Sequence, residues 1–229
     1  MTEAGATRVS GSQTLDRGLR ALELIAGTSG GLTIQQVSER LQVHRTIAHR
    51  LLATLSEHRL ITRGPDSRYR AGAGLAALAN GVQGALLEIA MPVMRELSEE
   101  LQSTIALLVR EGDEAVGLAV ATPTTAQYHL AFRSGSRHPL GRGSAGICLL
   151  ASLPPMPGER DEVTRARRQG FAISKGEVEP NAHGLAVLIK QPEGTPAACI
   201  NLITTRDDVM AGAVPSMLDG AARISALLS

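Results

Sequence analysis

Residues 32–55 read LTIQQVSERLQVHRTIAHRLLATL, and residues 60–70 add LITRGPDSRYR. Two short segments with apolar residues at helical spacing meet at a tight junction. In the first, Thr33 is followed three residues later by Gln36, a capping-box pattern, and Ile34, Val37 and Leu41 make its inward stripe. The second turns Ala48, Leu51, Leu52 and Leu55 inward and shows no strong N-cap at its start. Upstream, Leu15, Leu19, Leu22 and Ile25 recur at helical spacing, and residues 27–31 are rich enough in glycine to end that helix. Downstream, residues 60–63 and 68–70 flank Gly64, Pro65, Asp66 and Ser67. Pro then Asp at the centre of a four-residue turn suits type I, which predicts a two-stranded hairpin. Three helices and a hairpin in this order make a winged helix-turn-helix, a layout for holding DNA.

A recognition helix buries one face and offers polar donors on the other. Arg45, Thr46, His49 and Arg50 fall on the side away from Ala48, Leu52 and Leu55. Arg bridges two acceptors on guanine or clamps a phosphate, while Thr and His reach base edges or backbone. Ile47 is left with two alternatives, contact with a thymine methyl or inward packing. On the hairpin, Arg68 and Arg70 share one face, with Tyr69 turned to the core. Together with Arg63 they suit phosphates or the minor groove. Between Arg45 and Arg70 there are six Arg against Glu57 and Asp66. Residues 1–80 hold ten Arg, no Lys and six acids, hence +4; the whole chain is +1, so the remainder is −3. A basic N-terminal part joined to a mildly acidic remainder fits a nucleic-acid module carrying a second domain.

The 229 residues suit two small domains or one large one, and 43% apolar content excludes a disordered chain. With Tyr69, Tyr128, Phe132 and Phe171 the only aromatics, the cores must be built from Leu, Ile, Val and Ala. Cys148 and Cys199 form no CxxC, so neither a disulfide framework nor a zinc signature is present. Residues 1–13 read as a small, polar, loose tail with no charged-then-apolar leader. The Ala/Gly-rich run 71–90 is interrupted by Asn80, Gln83 and Glu88, so residues 73–82 read as a linker helix rather than a membrane span. A cytoplasmic protein with no membrane partner is expected.

The second half mixes both periods. Residues 92–101 read as helix; 104–110, 115–121 and 127–133 as strands; 143–152 and 159–169 as helices. Residues 171–174, 185–190 and 197–204 read as strands, and a last helix runs to about residue 228. Connections this short favour an antiparallel sheet with helices packed on it, an α+β domain over residues 83–229.

Residues 14–80 resemble the winged helix-turn-helix of the IclR-type bacterial regulators. The resemblance rests on Ser12-Gln13-Thr14-Leu15-Asp16-Arg17, on Gly31-Leu32-Thr33, on residues 49–55 (HRLLATL) and on Arg68-Tyr69-Arg70, and it continues through residues 81–229. It implies a winged helix-turn-helix over residues 14–72 and a GAF-like, profilin-like C-terminal domain that binds a small organic effector. It also implies homodimers or dimers of dimers on a palindromic DNA operator, acting as repressor or activator. Two departures stand out: His44 and Ile47 replace the family's usual Pro and second small polar residue, and about a helix's worth of sequence is missing near residues 157–159.

For the second domain, no GxSxG, HExxH, P-loop or strand-borne GxGxxG is present, so catalysis is not expected. His129, His138 and His183 with Glu177 or Cys199 match no metal template, so neither metal nor cofactor is expected. Cys148 and Cys199 are expected to be two inert buried thiols, a redox pair being the alternative if the fold brings them together. Small residues over Gly141, Arg142, Gly143, Ser144, Ala145 and Gly146 open a helix and leave room for a ligand near free backbone N–H groups. Carried over by position, the resemblance puts Ser144, Ala145, Gly146, His183, Asn201 and Ile203 in the effector pocket, with Glu177 and Arg142 beside them. The Asn201 and Ile203 positions are often Ser in the family. Their occupants here are larger, and Ile203 is apolar, which implies a smaller or more hydrophobic ligand. An effector-controlled transcription factor is thus expected, a constitutive DNA-binding factor with a purely oligomerising second domain being the alternative.

Overall fold

The structure, a computed structural model, describes residues 11–79, 84–124 and 132–229, and the chain divides into two compact units at Gly84/Ala85. In the first unit, α1 (Gln13–Ala26), α2 (Ile34–Leu41) and α3 (Arg45–Glu57) precede a hairpin of β1 (Ile61–Arg63) and β2 (Tyr69–Ala71). Their apolar stripes meet in one core of Ala21, Ile25, Leu32, Val37, Leu41, Leu51, Leu52, Leu55, Ile61 and Tyr69. Ile34 is only partly buried at its edge. Of the four apolar positions noted on α1, Leu15 and Leu19 lie at the surface, 63% and 49% exposed. Residues toward the C-terminal end of that helix carry the packing instead.

The α2 start is a complete capping box. Thr33 Oγ1 accepts from Gln36 N at 3.3 Å and Gln36 Oε1 accepts from Thr33 N at 3.0 Å, which satisfies two helix-end donors reciprocally. The start of α3, without an evident cap in the sequence, is capped by His44, whose Nδ1 accepts from Thr46 N at 3.4 Å. Between the helices Gln42 adopts the left-handed conformation, and Ser38 Oγ donates to Val43 O at 2.7 Å.

The hairpin contains the expected four-residue turn, Gly64 to Ser67, with Pro65 and Asp66 at its centre. Ser67 N donates to Gly64 O at 3.0 Å, Gly64 N donates to Arg68 O at 2.8 Å, and Ser67 has φ 59°. This is a three-residue loop closed by a left-handed residue, the next most favoured hairpin connection. The hairpin is held to the helices by the Leu32–Tyr69 bridge, with N···O distances of 3.0 and 2.8 Å. Gly31 makes this approach possible. Its φ is +69°, and a Cβ there would sit 2.7 Å from both Tyr69 O and Arg70 Cγ.

In the region expected to be a linker helix, α4 covers only Gly74–Ala79, and residues 80–83 lie outside the described residues. The following helix, α5 (Gly84–Leu101), begins eight residues before Pro92, the residue at which a helix start was expected. Pro in a helix interior removes one backbone hydrogen bond. Here Leu86 and Ala90 before it and Val93, Met94 and Leu97 after it are all buried, and packing of that stripe overrides the local penalty.

The second unit is built on one six-stranded antiparallel sheet, ordered β5-β4-β3-β8-β7-β6. The strands are β3 (Thr104–Glu111), β4 (Glu114–Ala121), β5 (Arg137–Pro139), β6 (Phe171–Lys175), β7 (His183–Ile189) and β8 (Ala198–Thr204). Most of the strand expected at 127–133 lies outside the described residues; Phe132 and Arg133 are not in a strand, and β5 was not expected at all. Alternation sorts the side chains to two layers. Ile105, Leu107, Val109, Ile200 and Leu202 pack with α5 and α8 (Asp207–Leu228). Ala106, Leu108, Cys199 and Ile203 pack with α6 (Gly143–Ala151) and α7 (Asp161–Gln169). The charged helix expected from residue 159 starts two residues later, at Asp161, and the Glu159 carboxylate ahead of it accepts from Thr164 Oγ1 at 2.9 Å. Among the described residues no helix is long and apolar enough to cross a membrane.

Candidate nucleic-acid interface and ligand pocket

Burying Ala48, Leu51, Leu52 and Leu55 turns the opposite face of α3 outward. Arg45, Thr46, His49 and Arg50 are all exposed, and Ile47 keeps 38% exposure rather than packing into the core. Arg45 and His49 lie one turn apart on the helix, as do Thr46 and Arg50. Among the described residues the side chains of Arg45, His49 and Arg50 make no hydrogen bond or ion pair within the chain, and that of Thr46 contacts only His44 Nδ1, at 3.0 Å. This face presents two unpaired guanidiniums and an imidazole.

The three wing arginines are not equivalent. Arg68 is partly buried, and its Nη1 donates to Gly31 O at 3.0 Å and to Gln36 Oε1 at 3.3 Å. It ties the hairpin to the α2 start through these two uncharged acceptors. Arg70 donates to both Asp66 oxygens, at 3.0 and 2.6 Å. The guanidinium holds the Asp66 carboxyl well below the usual carboxylate range, and that charge offsets the charge of Arg70. Arg63 donates to the neutral Ser67 Oγ at 3.1 Å and lies 5.9 Å from the Tyr69 ring centroid. It is exposed with its charge uncompensated. Sequence alone ranked these three together, because the partners that separate them, Gly31, Asp66 and Ser67, depend on the fold.

In the second unit one pocket opens between the α6 start, the loop joining β6 to β7, and the ends of β7 and β8. Its empty space is about 480 Å³ with the mouth included. Ser144, Glu177, His183, Asn201 and Ile203 of the expected set are on its wall. Ala145 and Gly146 are not. Ala145 is buried in the core, and Gly146 faces backbone, since a Cβ there would lie 2.9 Å from Pro139 O. Phe132, His138, Gly143, Ser174, Val178, Glu179, Ala182 and Gly184 complete the wall. His138 and Ser174 had no signal as wall residues in the sequence, because each is brought there by pairing of an edge strand.

Most polar groups of the pocket satisfy one another. Ser144 Oγ donates to Asn201 Oδ1 at 2.8 Å, Ser144 N donates to Ser174 Oγ at 2.7 Å, and Gly143 N donates to Glu177 Oε2 at 2.9 Å. Glu177 is also paired with both Arg160 amino nitrogens at 3.2 Å, and Arg142 Nε donates to Glu177 O at 2.7 Å. Arg160 holds the Glu177 carboxyl below its ordinary range. His183 Nε2 lies 3.2 Å from Asp207 Oδ1 at the start of α8. His138 stands outside this network. It is 8% exposed, and its Nε2 has no hydrogen-bond partner among the described residues. Burial first, and Arg142 second, lower its pKa and favour the neutral ring.

Among the described residues no group of three or more His, Cys, Asp or Glu could hold a metal, and His129 lies outside them. The fold does bring Cys148 and Cys199 together. Both are buried free thiols, and burial, followed by a hydrogen bond between them, pushes the Cys199 pKa well up, away from the reactive thiolate.

A winged helix-turn-helix with an open basic helix face, attached to a sheet domain with a pocket, defines a DNA-binding regulator. The IclR helix-turn-helix domain matches residues 14–65, and the bacterial transcriptional regulator IclR C-terminal domain matches residues 82–160. The chain belongs to the IclR family of DNA-binding transcriptional regulators. It is 28% identical over 193 residues to the HTH-type transcriptional regulator Rv1719 of Mycobacterium tuberculosis, covering 75% of this chain and 74% of that one. It is 28% identical to the HTH-type transcriptional regulator BhcR of Paracoccus denitrificans, over 86% of this chain and 79% of that one. Its fold matches an IclR homolog from Microbacterium hydrocarbonoxydans solved with 4-hydroxybenzoate, with TM-score 0.78 and 24% identity over 94% of this chain and 98% of that one.

Proposed function

We propose that this chain is a transcription factor that binds a palindromic operator through α3 and whose operator affinity changes when a small organic molecule occupies the α6 pocket. The observation that carries the DNA half is the unpaired set Arg45, His49 and Arg50, exposed beside Thr46 and Ile47. Arg63 adds a phosphate contact, while Arg70, paired with Asp66, is a weaker one. In this reading Ile47 meets a thymine methyl. The ligand half is supported by a pocket whose wall includes Ser144, Glu177, His183, Asn201 and Ile203, and by the 4-hydroxybenzoate held by a protein of the same fold. The chain acts as a homodimer or a dimer of dimers, in the cytoplasm, with neither cofactor nor catalysis. A ligand shifts operator affinity only as far as it discriminates between two arrangements of the paired winged helices.

The test is a footprint of the full chain on the DNA upstream of its own gene, with and without a panel of small organic acids and aromatics. Two protected half-sites spaced by about one helical turn, roughly 34 Å, or a multiple, are expected for paired winged helices. At least one compound should change the protection. Protection that no compound alters would favour a constitutive DNA-binding factor, and a single asymmetric half-site would contradict dimeric binding.

A further inference from the structure

The donors at the α6 start that would meet a ligand carboxylate already have an occupant. Glu177 Oε2 accepts from Gly143 N at 2.9 Å, and Ser174 Oγ accepts from Ser144 N at 2.7 Å. The Ser144 hydroxyl is directed to Asn201 Oδ1. Of the nearby cations, Arg160 is paired with Glu177 and donates to Gly141 O, and Arg142 donates through Nε to the Glu177 backbone carbonyl. The chain thus supplies its own carboxylate where an anionic ligand would otherwise sit at a helix N-terminus.

What remains is unsuited to an anion. The wall carries a second carboxylate, Glu179, which has no ion-pair partner among the described residues, and the atoms left facing the space are mostly carbon, including those of Phe132, Val178 and Ile203. Among the described residues, the polar groups of the wall without a hydrogen-bond partner include Asn201 Nδ2 and His138 Nε2, the latter on a side chain more than nine-tenths buried, about 4.0 Å from where a Cβ on Gly143 would stand. A buried unpaired nitrogen is costly unless something meets it. A hydroxyl satisfies it whichever ring nitrogen carries the proton, because a hydroxyl both donates and accepts.

We infer that the pocket takes a small uncharged ligand with an apolar body and a hydroxyl that meets His138 Nε2, and that Glu177 occupies the place of a ligand carboxylate and so rejects acids. This rests on the reading of the pocket as the effector site and narrows its chemistry. The anionic alternative requires Glu177 to leave both Gly143 N and Arg160 on binding.

The experiment is isothermal titration calorimetry of the full chain with a matched pair of probes, phenol and benzoate. Phenol should bind the unaltered protein at least tenfold more tightly than benzoate. His138→Phe should lose at least tenfold in phenol affinity. Glu177→Gln, which keeps an acceptor for Gly143 N but removes the charge, should gain at least tenfold for benzoate. Benzoate binding the unaltered protein as well as phenol would overturn the inference and leave the pocket reading standing. Binding of neither probe to the unaltered protein or to Glu177→Gln would overturn both.

Discussion

The Arg68 guanidinium donates to the Gly31 carbonyl at 3.0 Å, across 37 residues of sequence, and the same Nη1 reaches the Gln36 amide oxygen that caps α2. One side chain thereby links the wing, the glycine bend and the helix that supports α3. Arg68→Ala should therefore lower the stability of the first unit by about 1–3 kcal/mol, the usual range for hydrogen bonds from a charged donor. Thermal unfolding of the full chain should show it, while the salt slope of DNA binding stays as it was.

Arg63 predicts the opposite pattern. Its charge is uncompensated, so Arg63→Ala should leave stability nearly unchanged and reduce the slope of log affinity against log salt by about 1, uniformly across DNA sequences. Asp66→Asn should release the charge of Arg70 and steepen that slope by a similar amount. Fluorescence anisotropy with a labelled duplex across a salt series separates the three variants.

Glu159 gives a pH prediction. Arg167 holds its carboxyl down from 4.5 to about 2. A group whose folded pKa is depressed contributes stability that is complete above its unfolded pKa and is lost as pH falls through the folded value. Unfolding midpoints should decline as pH falls from about 4.5 toward about 2, and Glu159→Gln should flatten that part of the curve relative to the unaltered chain.

Gly184 is the tightest point of the pocket. A Cβ there would collide with Ser144 Oγ, the hydroxyl that bonds Asn201. Gly184→Ala should destabilise the second unit by about 1–3 kcal/mol, as overpacking does, and should abolish any ligand-induced rise in its melting temperature.

What the sequence made legible was local. Thr33 and Gln36 sit three residues apart, so their capping box could be read directly, as could the inward set Ala48, Leu51, Leu52 and Leu55. The cap on α3 was not readable, because His44 is an unusual acceptor and its role rests on Nδ1 meeting Thr46 N. Tertiary pairing decided the rest. Nothing near Arg68 in sequence announces Gly31, and nothing near His138 announces the pocket that β5 brings it to. By resemblance, the start of α6 is expected to give Ser144, Ala145 and Gly146 to the pocket. In the fold Ser144 faces the pocket while Ala145 and Gly146 turn to core and backbone, a division set by helical rotation about the α6 axis.

Base reading by α3 is decided by measuring the affinity of the full chain and of Arg50→Ala for the operator and for a shuffled duplex at one fixed salt concentration. The full chain should prefer the operator by about a thousandfold or more. Arg50→Ala should lose about 1–3 kcal/mol on the operator, with discrimination relaxed at one base position. Equal affinity of the full chain for both duplexes, or a loss in Arg50→Ala identical on both, would contradict base reading by α3.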